Sequence, residues 1–562
     1  MREKTGEPAA TIHSFLAQRG WLNENMTFKR KGGRKEEAIS TYIIDEASML
    51  DLELIATLFR AINWATVQRL IFVGDPNQLP PIGRGKIFAD LIDWIRETNP
   101  ESLGFLEINI RQMENRLKKL GTGILDLASL FTRLGDDVHK SHTKMDAELM
   151  LGRVQEQGDI DQDLRVIYWS DPDDLSKKLI ETIFSDLEKD TDQPYDPTKP
   201  SLLWEAAFKV QDDNGQTKHW QPEILQIISP YRGEQYGTGY LNTLLQRHIN
   251  GWRMGRVGQL GGITLFDKVI QVVNRPKSNP YWAYSTESKK SEKIEAYNGE
   301  IGFAQPDLRD WRRDARGNVP FLQPGFTMKR FQVQFSRKSQ YRITLDSGSE
   351  VERNLELAYA ISVHKSQGSE FKRVYFIVPK HKMALLSREM FYTGITRANR
   401  HCTLLVQEDI SPLLNMRRPE SSHLAGINSS LFDFRPIPEE FLNRSGWYEE
   451  GKIHRTLTDI MVRSKSEVIL ANMLFERDIP FRYEVPLRAP DGTFYLPDFV
   501  INWAGEEYYW EHLGMLDQEK YRNHWETKKA WYAKFFPGKL LITEESGELS
   551  KEANSLIEQH FS

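Results

Sequence analysis

Two short apolar runs near the start of the chain are each followed at once by polar residues. The first run is 42–44, Tyr-Ile-Ile, and the second is 70–73, Leu-Ile-Phe-Val. Continuous apolar runs of this length predict strands of a parallel sheet that are fully buried. Ligands of open α/β sheets bind at the carboxyl ends of the strands. The pattern therefore predicts one crevice lined by four polar side chains: Asp45, Glu46, Asp75 and Gln78.

Further along the chain the pattern predicts a different kind of sheet. Apolar runs at 224–229 and 374–378 again read as buried strands. Between 262 and 346 the runs become short and closely spaced, which is typical of a small antiparallel barrel inserted into the surrounding domain. The four predicted strands of this insertion are 268–273, 299–303, 331–335 and 341–345.

The C-terminal part begins with a helix predicted after Ser464 and continues with a hairpin whose turn is 503–506. If the turn is centred between Ala504 and Gly505, Asp498 lies directly opposite Glu511. Cross-strand neighbours lie about 5 Å apart at Cβ, and like charges there are destabilising. A divalent cation shared by the two carboxylates would remove that repulsion, so the register predicts a metal site.

The chemistry of the first crevice suits nucleotide hydrolysis. Asp45 can hold Mg²⁺, usually through water, and the metal bridges the nucleotide phosphates. Glu46 can orient or deprotonate the attacking water, and Gln78 can sense the terminal phosphate. The alternative is that the two acidic residues only cap the next helix, as is common after a strand. The second strand, with a polar end of its own, favours the nucleotide interpretation.

The residues after these strands, Asp-Glu-Ala-Ser at 45–48 and Gly-Asp-Pro-Asn-Gln-Leu-Pro-Pro at 74–81, resemble motifs II and III of superfamily-one helicases, most closely the RecD-like branch. Other segments resemble motifs Ia, IV, V and VI in the same order: 10–16, 106–112, 357–370 and 392–398. The resemblance implies an α/β fold with RecA-like parallel-sheet motor domains and an SH3-like β-barrel insertion.

The helicase resemblance also implies roles for individual residues and an activity. The activity is 5′–3′ translocation on DNA, single-stranded or with a single-stranded tail, driven by ATP and Mg²⁺. Arg397 would be the arginine finger that neutralises charge during hydrolysis. DNA contacts would come from Thr11, His13, His364, Lys365 and Ser366, and nucleotide contacts from Arg111, Gly368 and Glu370 beside Asp45 and Gln78.

A second resemblance covers the C-terminal part. Glu467, Asp498 after Pro497, and Glu511 resemble the acidic residues of the PD-(D/E)XK nucleases. This implies an α/β restriction-endonuclease-like domain in which the three carboxylates hold Mg²⁺ or Mn²⁺ and DNA is cleaved. The alternative for Glu467 is a capping box with Ser464, since Ser-x-x-Glu is the usual sequence of that motif.

The lysine of the nuclease pattern is missing from its usual place. It would fall at 513, where this chain has Leu513. Some members of the family carry it on the following helix instead. Helical spacing places Lys528 on one face there with Trp525 and Tyr532, so Lys528 is the candidate and Lys520 the runner-up.

The phosphate-binding loop of the helicase family, G-x-x-x-x-G-K-[ST], does not occur in these 562 residues. That loop cradles the nucleotide phosphates with its backbone N–H groups and supplies a lysine. Three explanations stay open. The sequence is a fragment, a partner protein supplies the missing motor segment, or the motor is inert and the chain serves as a DNA-binding nuclease subunit.

Composition adds few constraints. The net charge is −5, so any DNA path must be a local basic track. We expect a cytoplasmic protein, because we find no membrane span, no signal peptide and a single cysteine, Cys402. The expected domains are a first, N-terminally incomplete motor domain at 1–105, a second motor domain at 106–260 and 348–410, the insertion at 261–347, a linker at 411–452 and the nuclease-like domain at 453–562.

Overall fold

The computed structural model describes residues 9–23, 27–29, 31–35, 39–106, 121–132, 144–211, 217–277, 279–346, 353–380, 386–417, 421–427, 454–458, 460–485, 487–491, 493–514, 516 and 519–561. The chain forms two compact units, Met1–Asp433 and Phe434–Ser562, which are described separately. The finer division into motor domains, insertion and linker stays a prediction. In the described part of the chain, no helix has the length and apolar character needed to cross a membrane.

The first unit begins with a small parallel sheet. Strands β1 (Thr41–Ile44) and β2 (Arg69–Phe72) pair in parallel, and Ile43 lies opposite Ile71. Three helices surround them: α1 (Ile12–Gln18), α2 (Leu52–Ala61) and α3 (Ile87–Thr98).

The prediction that β1 and β2 are fully buried is wrong. Ile43 is 55% exposed and Ile71 is 41% exposed, whereas Ile44 is buried against the helices. Val73, directly after β2, is also exposed. One face of this two-stranded sheet is therefore covered and the other is an open apolar surface. Sequence pattern alone cannot reveal this, because an apolar run looks the same whether or not its cover is present.

The remaining strands of the first unit, in chain order, are β3 (Gly158–Asp161), β4 (Leu164–Trp169), β5 (Lys209–Gln211), β6 (Thr217–Trp220), β7 (Leu225–Ser229), β8 (Lys268–Gln271), β9 (Tyr281–Ser285), β10 (Ser291–Ile294), β11 (Ile301–Gln305), β12 (Arg330–Phe335), β13 (Tyr341–Asp346), β14 (Leu355–Leu357), β15 (Ala360–Ser362), β16 (Phe371–Val378) and β17 (Ala398–Gln407). The helices are α4 (Gly123–Ser129), α5 (Lys144–Glu156), α6 (Pro172–Thr191), α7 (Pro200–Phe208), α8 (Thr238–Val257), α9 (Val363–Ser366), α10 (Arg388–Ile395), α11 (Ser411–Met416) and α12 (His423–Gly426).

Six of these strands form a second sheet in the order β15-β7-β16-β17-β4-β3. All neighbours are parallel except β3, which runs antiparallel to β4. Every residue of β7 is buried, as expected for a strand covered on both faces. The predicted strands at 224–229 and 374–378 correspond to β7 and to part of β16, so both are confirmed. Cys402 is buried in β17, as the sequence indicates.

Seven strands form a separate antiparallel sheet in the order β10-β9-β13-β12-β11-β8-β14. It contains the four predicted strands, as β8, β11, β12 and β13, and adds three more. Antiparallel pairing of this segment is thereby confirmed, while its likeness to an SH3 barrel stays a prediction. Lys268 of β8 is fully buried where this sheet meets β7, and its Nζ donates to the Leu225 carbonyl at 2.6 Å.

The second unit contains β18 (His454–Arg455), β19 (Met461–Val462), α13 (Lys465–Glu476), β20 (Phe481–Tyr483), β21 (Leu487–Arg488), β22 (Phe494–Tyr495), β23 (Phe499–Trp503), β24 (Glu506–Leu513), α14 (Glu519–Phe535), β25 (Leu540–Glu544) and α15 (Leu549–His560). Its main sheet has the order β20-β23-β24-β25. Alternate residues of β24 enter two cores: Trp510 packs with α13 and α15, and Tyr509 packs with α14. The sheet therefore has helices on both faces.

The hairpin of β23 and β24 has the predicted register. Phe499 pairs with Trp510 and Trp503 pairs with Glu506, which centres the turn between Ala504 and Gly505. Both turn residues have positive φ, 50° and 84°. Positive φ at both central positions is the property of the type I′ turn, whose twist matches that of the flanking strands. Continuing this register by one step beyond the last pair sets Asp498 opposite Glu511.

Candidate nucleotide site and candidate nuclease site

The loop that follows β1 is held against the loop that follows β2. The Val73 N–H donates to the Ile44 carbonyl at 2.8 Å, and the Ala47 N–H donates to the Val73 carbonyl at 2.9 Å. Between them, Glu46 has φ 55° and ψ 41°, the left-handed region that non-glycine residues rarely adopt. Such strained backbone is found most often at functional sites, because the surrounding structure must maintain it.

Charged side chains from several predicted motifs act on Glu46. Desolvation raises the pKa of its carboxyl group, and the negative charges of Asp45, Asp75 and Glu370 raise that pKa further. The Arg397 guanidinium acts in the opposite direction and lowers it. Interactions of this kind require proximity, so the fold brings the predicted motifs II, III, V and VI around one carboxylate. A raised pKa moves this carboxylate towards the range that suits a general base.

Gln78 lies in the loop after β2, and the hydrogen bonding of its side chain is incomplete. Its Oε1 is buried and has no hydrogen-bond partner among the described residues. A buried acceptor without a partner costs free energy and is commonly satisfied by a ligand or an ordered water. Gln78 is therefore placed to accept a hydrogen bond from a group that enters the crevice.

Three hydrogen bonds join the loop after β2 to the second parallel sheet and its helices. The Tyr392 hydroxyl of α10 donates to Asp75 Oδ2 at 2.8 Å. The Leu79 N–H donates to Thr393 Oγ1 at 2.8 Å, and Gln367 Nε2 donates to the Leu79 carbonyl at 3.3 Å. The predicted motif III is thus physically connected to the predicted motifs V and VI.

Arg397 follows α10 and is buried, with 7% of its surface exposed. Its Nε donates to the Thr393 carbonyl at 3.0 Å, and Nη1 donates to the Ser369 carbonyl at 3.3 Å. These carbonyls fix the plane of the guanidinium group near Glu46. Its position agrees with the predicted arginine finger, although the role itself stays a prediction.

The two residues predicted to bind DNA near the N-terminus lie at the start of α1. Thr11 is the N-cap of this helix, and its Oγ1 accepts a hydrogen bond from the Ser14 N–H at 3.1 Å. His13 lies 5.8 Å from Phe28, measured between ring centroids, and burial lowers the pKa of its imidazole. Thr11 therefore has a structural role in addition to any contact with DNA.

The other predicted DNA contacts lie in the short helix α9. Lys365 Nζ pairs with Glu356 at 2.7 Å, and burial lowers the pKa of His364. Ser366 is fully buried, and its hydroxyl donates to the Val363 carbonyl at 2.7 Å. Of the three, Ser366 is the one whose surroundings favour a structural role over DNA contact.

Of the three remaining predicted nucleotide contacts, two lie among the described residues and one does not. Gly368 has φ 69° and an open surface above its Cα, which suits close approach of a ligand. Glu370 lies near enough to raise the pKa of Glu46. Arg111, with the predicted strand that precedes it, lies outside the described residues.

In the second unit, Glu511 contacts the lysine that helical spacing selects. Lys528 Nζ of α14 lies 2.6 Å from Glu511 Oε1 and 2.7 Å from Oε2. The Tyr532 hydroxyl, one turn further along the same face, donates to Glu511 Oε1 at 2.6 Å. The side chain of Lys520, the runner-up, lies outside those that the structure describes.

Asp498 lies next to this group. Its Oδ2 accepts a hydrogen bond from the His512 N–H at 2.6 Å. Burial raises its pKa well above the ordinary value, and the negative charges of Glu511 and Glu467 add to the effect, while Lys528 opposes it. The three acidic residues of the second resemblance therefore interact electrostatically.

Glu467 has the contacts of a helix cap. Its N–H donates to Ser464 Oγ at 3.1 Å, and its carboxylate accepts hydrogen bonds from the Arg463 N–H at 3.0 Å and from the Tyr483 hydroxyl. The capping interpretation is therefore supported by geometry. It does not exclude a second role, because a carboxylate has about four acceptor positions.

The carboxylates as arranged do not form a metal site. Among the described residues, no group of three or more His, Cys, Asp or Glu side chains is placed to hold a metal ion. Both oxygens of Glu511 already contact Lys528. The predicted ligand set Glu467, Asp498 and Glu511 is thus brought into one neighbourhood without the geometry of a metal centre. The predicted nucleotide site needs fewer protein ligands, since Mg²⁺ bound to nucleotide takes only one or two carboxylates such as Asp45.

Several residues of these sites were missed by sequence reasoning. Tyr392 and Thr393 lie within the predicted motif VI, so their place in the sequence could have identified them as site residues. Tyr483, which donates to Glu467, is distant in sequence and carried no signal. The same is true of Glu545, whose Oε2 lies 2.9 Å from His512 Nε2 and also accepts from Ser466.

Two protein-family models match the chain. Residues 1–84 match the AAA domain, and residues 357–405 match the UvrD-like helicase C-terminal domain. The first match includes Asp45, Glu46 and Gln78, and the second includes Gly368, Glu370 and Arg397. Both sides of the candidate nucleotide site thus lie in segments that match these two family models.

Curated relatives agree with these matches. An uncharacterised protein of Methanocaldococcus jannaschii is 30% identical over 93% of this chain and 42% of its own length. The RecD subunit of the RecBCD enzyme of Buchnera aphidicola is 20% identical over 72% of this chain and 59% of its own. This chain is related to the RecD-like superfamily-one helicases. The ATP-dependent RecD2 DNA helicase of Deinococcus radiodurans is a further relative, 22% identical over 70% of this chain and 39% of its own.

This chain spans between 39% and 59% of the length of these three relatives. Among solved structures, the Pif1 helicase of Bacteroides with ADP-AlF3 and single-stranded DNA covers 74% of this chain and 84% of its own, at 15% identity. The TM-score of that alignment is 0.29, too low to carry an argument. The mixed α/β fold with parallel sheets rests on the strand pairing of this chain itself.

Proposed function

We propose that this RecD-like chain acts as part of an ATP-dependent DNA helicase or translocase that moves 5′–3′ on single-stranded DNA. The observation that carries the proposal is the set of hydrogen bonds that joins the loop of Asp75 to the loop after β1 and to Tyr392 and Thr393 of α10, just ahead of Arg397. These bonds bring Asp45, Glu46, Asp75 and Arg397 into one cluster. Such a cluster joins the residue types that phosphoryl transfer requires, namely an acidic metal partner, a base for water and an arginine. The RecD relatives are the reason to favour DNA as the effector.

Each residue of the candidate site has a separate task in this proposal. Asp45 would hold the Mg²⁺ of the nucleotide, and that ion would neutralise part of the phosphate charge. Glu46 holds the attacking water and accepts its proton, helped by its raised pKa. Gln78 accepts a hydrogen bond from that water through its unpartnered Oε1. Arg397 approaches the terminal phosphate and stabilises the charge that develops there.

The link between Tyr392 and Asp75 gives the proposal a route for coupling. Closing the crevice on nucleotide changes the distance between the loop after β2 and α10, which this hydrogen bond joins. The predicted DNA-binding helix α9 lies beside the same loop, through the contact of Gln367 with Leu79. Nucleotide binding and DNA contact therefore act on shared elements, as translocation requires.

A second candidate is a DNA-binding nuclease subunit whose motor is inert until another segment completes it. The exposed apolar face of β1 and β2 favours it, because parallel sheets are normally covered on both faces. We propose that the occupant is a strand and helix bearing a phosphate-binding loop, supplied from upstream or by a partner protein. ATP binding by the chain alone separates the two candidates.

The arginine finger gives the sharpest test of the motor. Arg397→Ala in a protein that includes a phosphate-binding loop is expected to lower DNA-stimulated ATP turnover by roughly 10³-fold or more. Arg400→Ala is the matched control, since Arg400 is an exposed arginine three residues further along. Turnover is measured by phosphate release with single-stranded DNA. Equal turnover in Arg397→Ala and wild type would contradict the assignment.

For the second unit we propose divalent-metal-dependent DNA cleavage, with Mg²⁺ or Mn²⁺. The proposal rests on the resemblance of Glu467, Asp498 and Glu511 and on the contact of Lys528 with Glu511. Because the carboxylates are not grouped as a metal site in this structure, no step through a metal is derived. What the chain itself offers is a lysine that can balance negative charge beside the scissile phosphate.

Asp498→Asn is expected to abolish metal-dependent cleavage of labelled DNA while leaving ATP turnover unchanged. Glu507→Gln is the control, because Glu507 is an exposed carboxylate of β24, the strand that carries Glu511, and it pairs with Arg482. Cleavage is followed on denaturing gels with Mg²⁺, with Mn²⁺ and with a chelator. Persistent cleavage by Asp498→Asn would place any nuclease centre elsewhere.

A further inference from the structure

The loop between β11 and β12, residues 306–329, is unusually basic for this chain. It contains five arginine or lysine residues and three aspartates, whereas the whole chain has a net charge of −5. We call it the arginine loop. Its central residues are exposed, among them Arg312, Arg313 and Arg316.

Two of the aspartates of the arginine loop form ion pairs or hydrogen bonds with residues of the loop or directly beside it. The Asp307 carboxylate pairs with Arg309 at 2.9 Å and with Arg330 at 3.0 Å. The Asp314 carboxylate accepts hydrogen bonds from the Arg316 N–H at 2.8 Å and the Asn318 N–H at 2.9 Å. These negative charges maintain the shape of the loop, and the exposed arginines determine the charge that it presents to solvent.

Aromatic side chains lie beside these arginines. Trp311 is 41% exposed and packs edge-on against Phe321, with ring centroids 4.8 Å apart. Phe321 also lines a cleft with Trp252 of α8, which is 49% exposed. The Arg253 guanidinium lies 4.7 Å from the Trp252 ring and 4.7 Å from Phe266. Two partly open indole rings are thus held in place by packing underneath.

We infer that the arginine loop, with Trp252, forms a binding surface for single-stranded DNA. Bases stack on Trp311 and Trp252, and Arg312, Arg313 and Arg316 contact the phosphates. Aromatic platforms with a positive groove are the usual means of binding single strands without sequence preference, because every base has a π face. A duplex keeps its base faces stacked internally and cannot use the rings in this way.

The inference rests on the proposed function and extends it, since this surface contains none of the residues that the helicase resemblance assigns to DNA. The positive charge of the arginine loop indicates which ligand this surface binds. A protein partner would also favour tryptophan and arginine, but a surplus of exposed arginines in an acidic chain is better matched by phosphates.

Binding of a fluorescein-labelled oligothymidylate to the full chain, without nucleotide, tests the inference by anisotropy over a range of salt concentrations. Trp311→Ala is expected to weaken binding roughly tenfold. The double variant Arg312→Gln/Arg316→Gln is expected to reduce the slope of log K against log salt by about 1.4, since each phosphate contact on a single strand contributes about 0.7. Arg337→Gln, an exposed arginine outside the loop, is the control.

Thermal unfolding of each variant checks that the fold is intact, and Trp311→Phe, which keeps a ring, should restore part of the affinity. If wild type binds and the loop variants bind equally well with the same salt slope, the inference is overturned while the proposed function stands. If wild type does not bind the oligonucleotide at all, both fail. Equal losses on duplex and single strand in Trp311→Ala would overturn the stacking role.

Discussion

The pKa of Lys268 depends strongly on the surroundings of its side chain. Its side chain is fully buried, and its ammonium group donates to the Leu225 carbonyl and to Gln226 Oε1 at 2.8 Å. Burial lowers its pKa to about 7, although the charge of Glu223 opposes the shift. In the unfolded chain a lysine keeps its proton up to a pH of about 10.4. Between these limits the unfolded state binds more protons, so stability rises with pH.

Lys268→Met is therefore expected to remove a pH dependence. From pH 7 to 9, wild type should gain up to about 1.4 kcal/mol of unfolding free energy per pH unit relative to the variant. Urea unfolding at pH 7, 8 and 9 measures the difference. A constant offset between the two proteins would reflect only lost hydrogen bonds and packing, and would show that Lys268 does not titrate in this window.

At the same scale, helical spacing selected Lys528 correctly as the lysine that meets Glu511, because i to i+4 spacing fixes which side chains share a face. Sequence reasoning could not find Tyr483 or Glu545, since contacts between distant segments depend on how the elements pack. The roles of the site residues stay predictions, and Arg111 lies outside the described residues.

The hairpin of β23 and β24 shows what can be predicted for a whole element. A two-residue turn leaves a single register that fits the flanking strands, and that register sets Asp498 opposite Glu511. The exposure of β1 and β2 could not be predicted in the same way. Their apolar side chains match a buried strand, but the sequence does not show what covers their second face.

The turn itself yields a stability prediction. Ala504 has φ 50°. This left-handed conformation costs alanine more than glycine, which has no Cβ atom, and more than asparagine, whose short polar side chain can hydrogen-bond to the local backbone. Ala504→Asn is expected to stabilise the second unit by about 0.5–1 kcal/mol. Ala504→Val should destabilise it, because β-branched residues tolerate this region least. Chemical unfolding followed by fluorescence compares the three proteins, and a more stable Val variant would contradict the turn assignment.

At the scale of the whole molecule, the chain consists of two units, and each carries its own candidate site. The first carries the candidate nucleotide site, and the second carries Glu467, Asp498 and Glu511. The domain boundaries predicted from sequence stay untested beyond this division. The similarity to RecD proteins supports the proposed motor, whereas the proposed nuclease activity rests on the second unit alone.

The most direct test of the motor is ATP hydrolysis with Mg²⁺, with and without single-stranded DNA. It is measured for this chain alone and for the chain joined to a strand–helix segment that carries a phosphate-binding loop. DNA-stimulated turnover is expected in the joined protein. Glu46→Gln should abolish it, and Glu53→Gln, at an exposed position of α2, should leave it intact. A joined protein that binds ATP and DNA without hydrolysis, or one whose turnover survives Glu46→Gln, would contradict it.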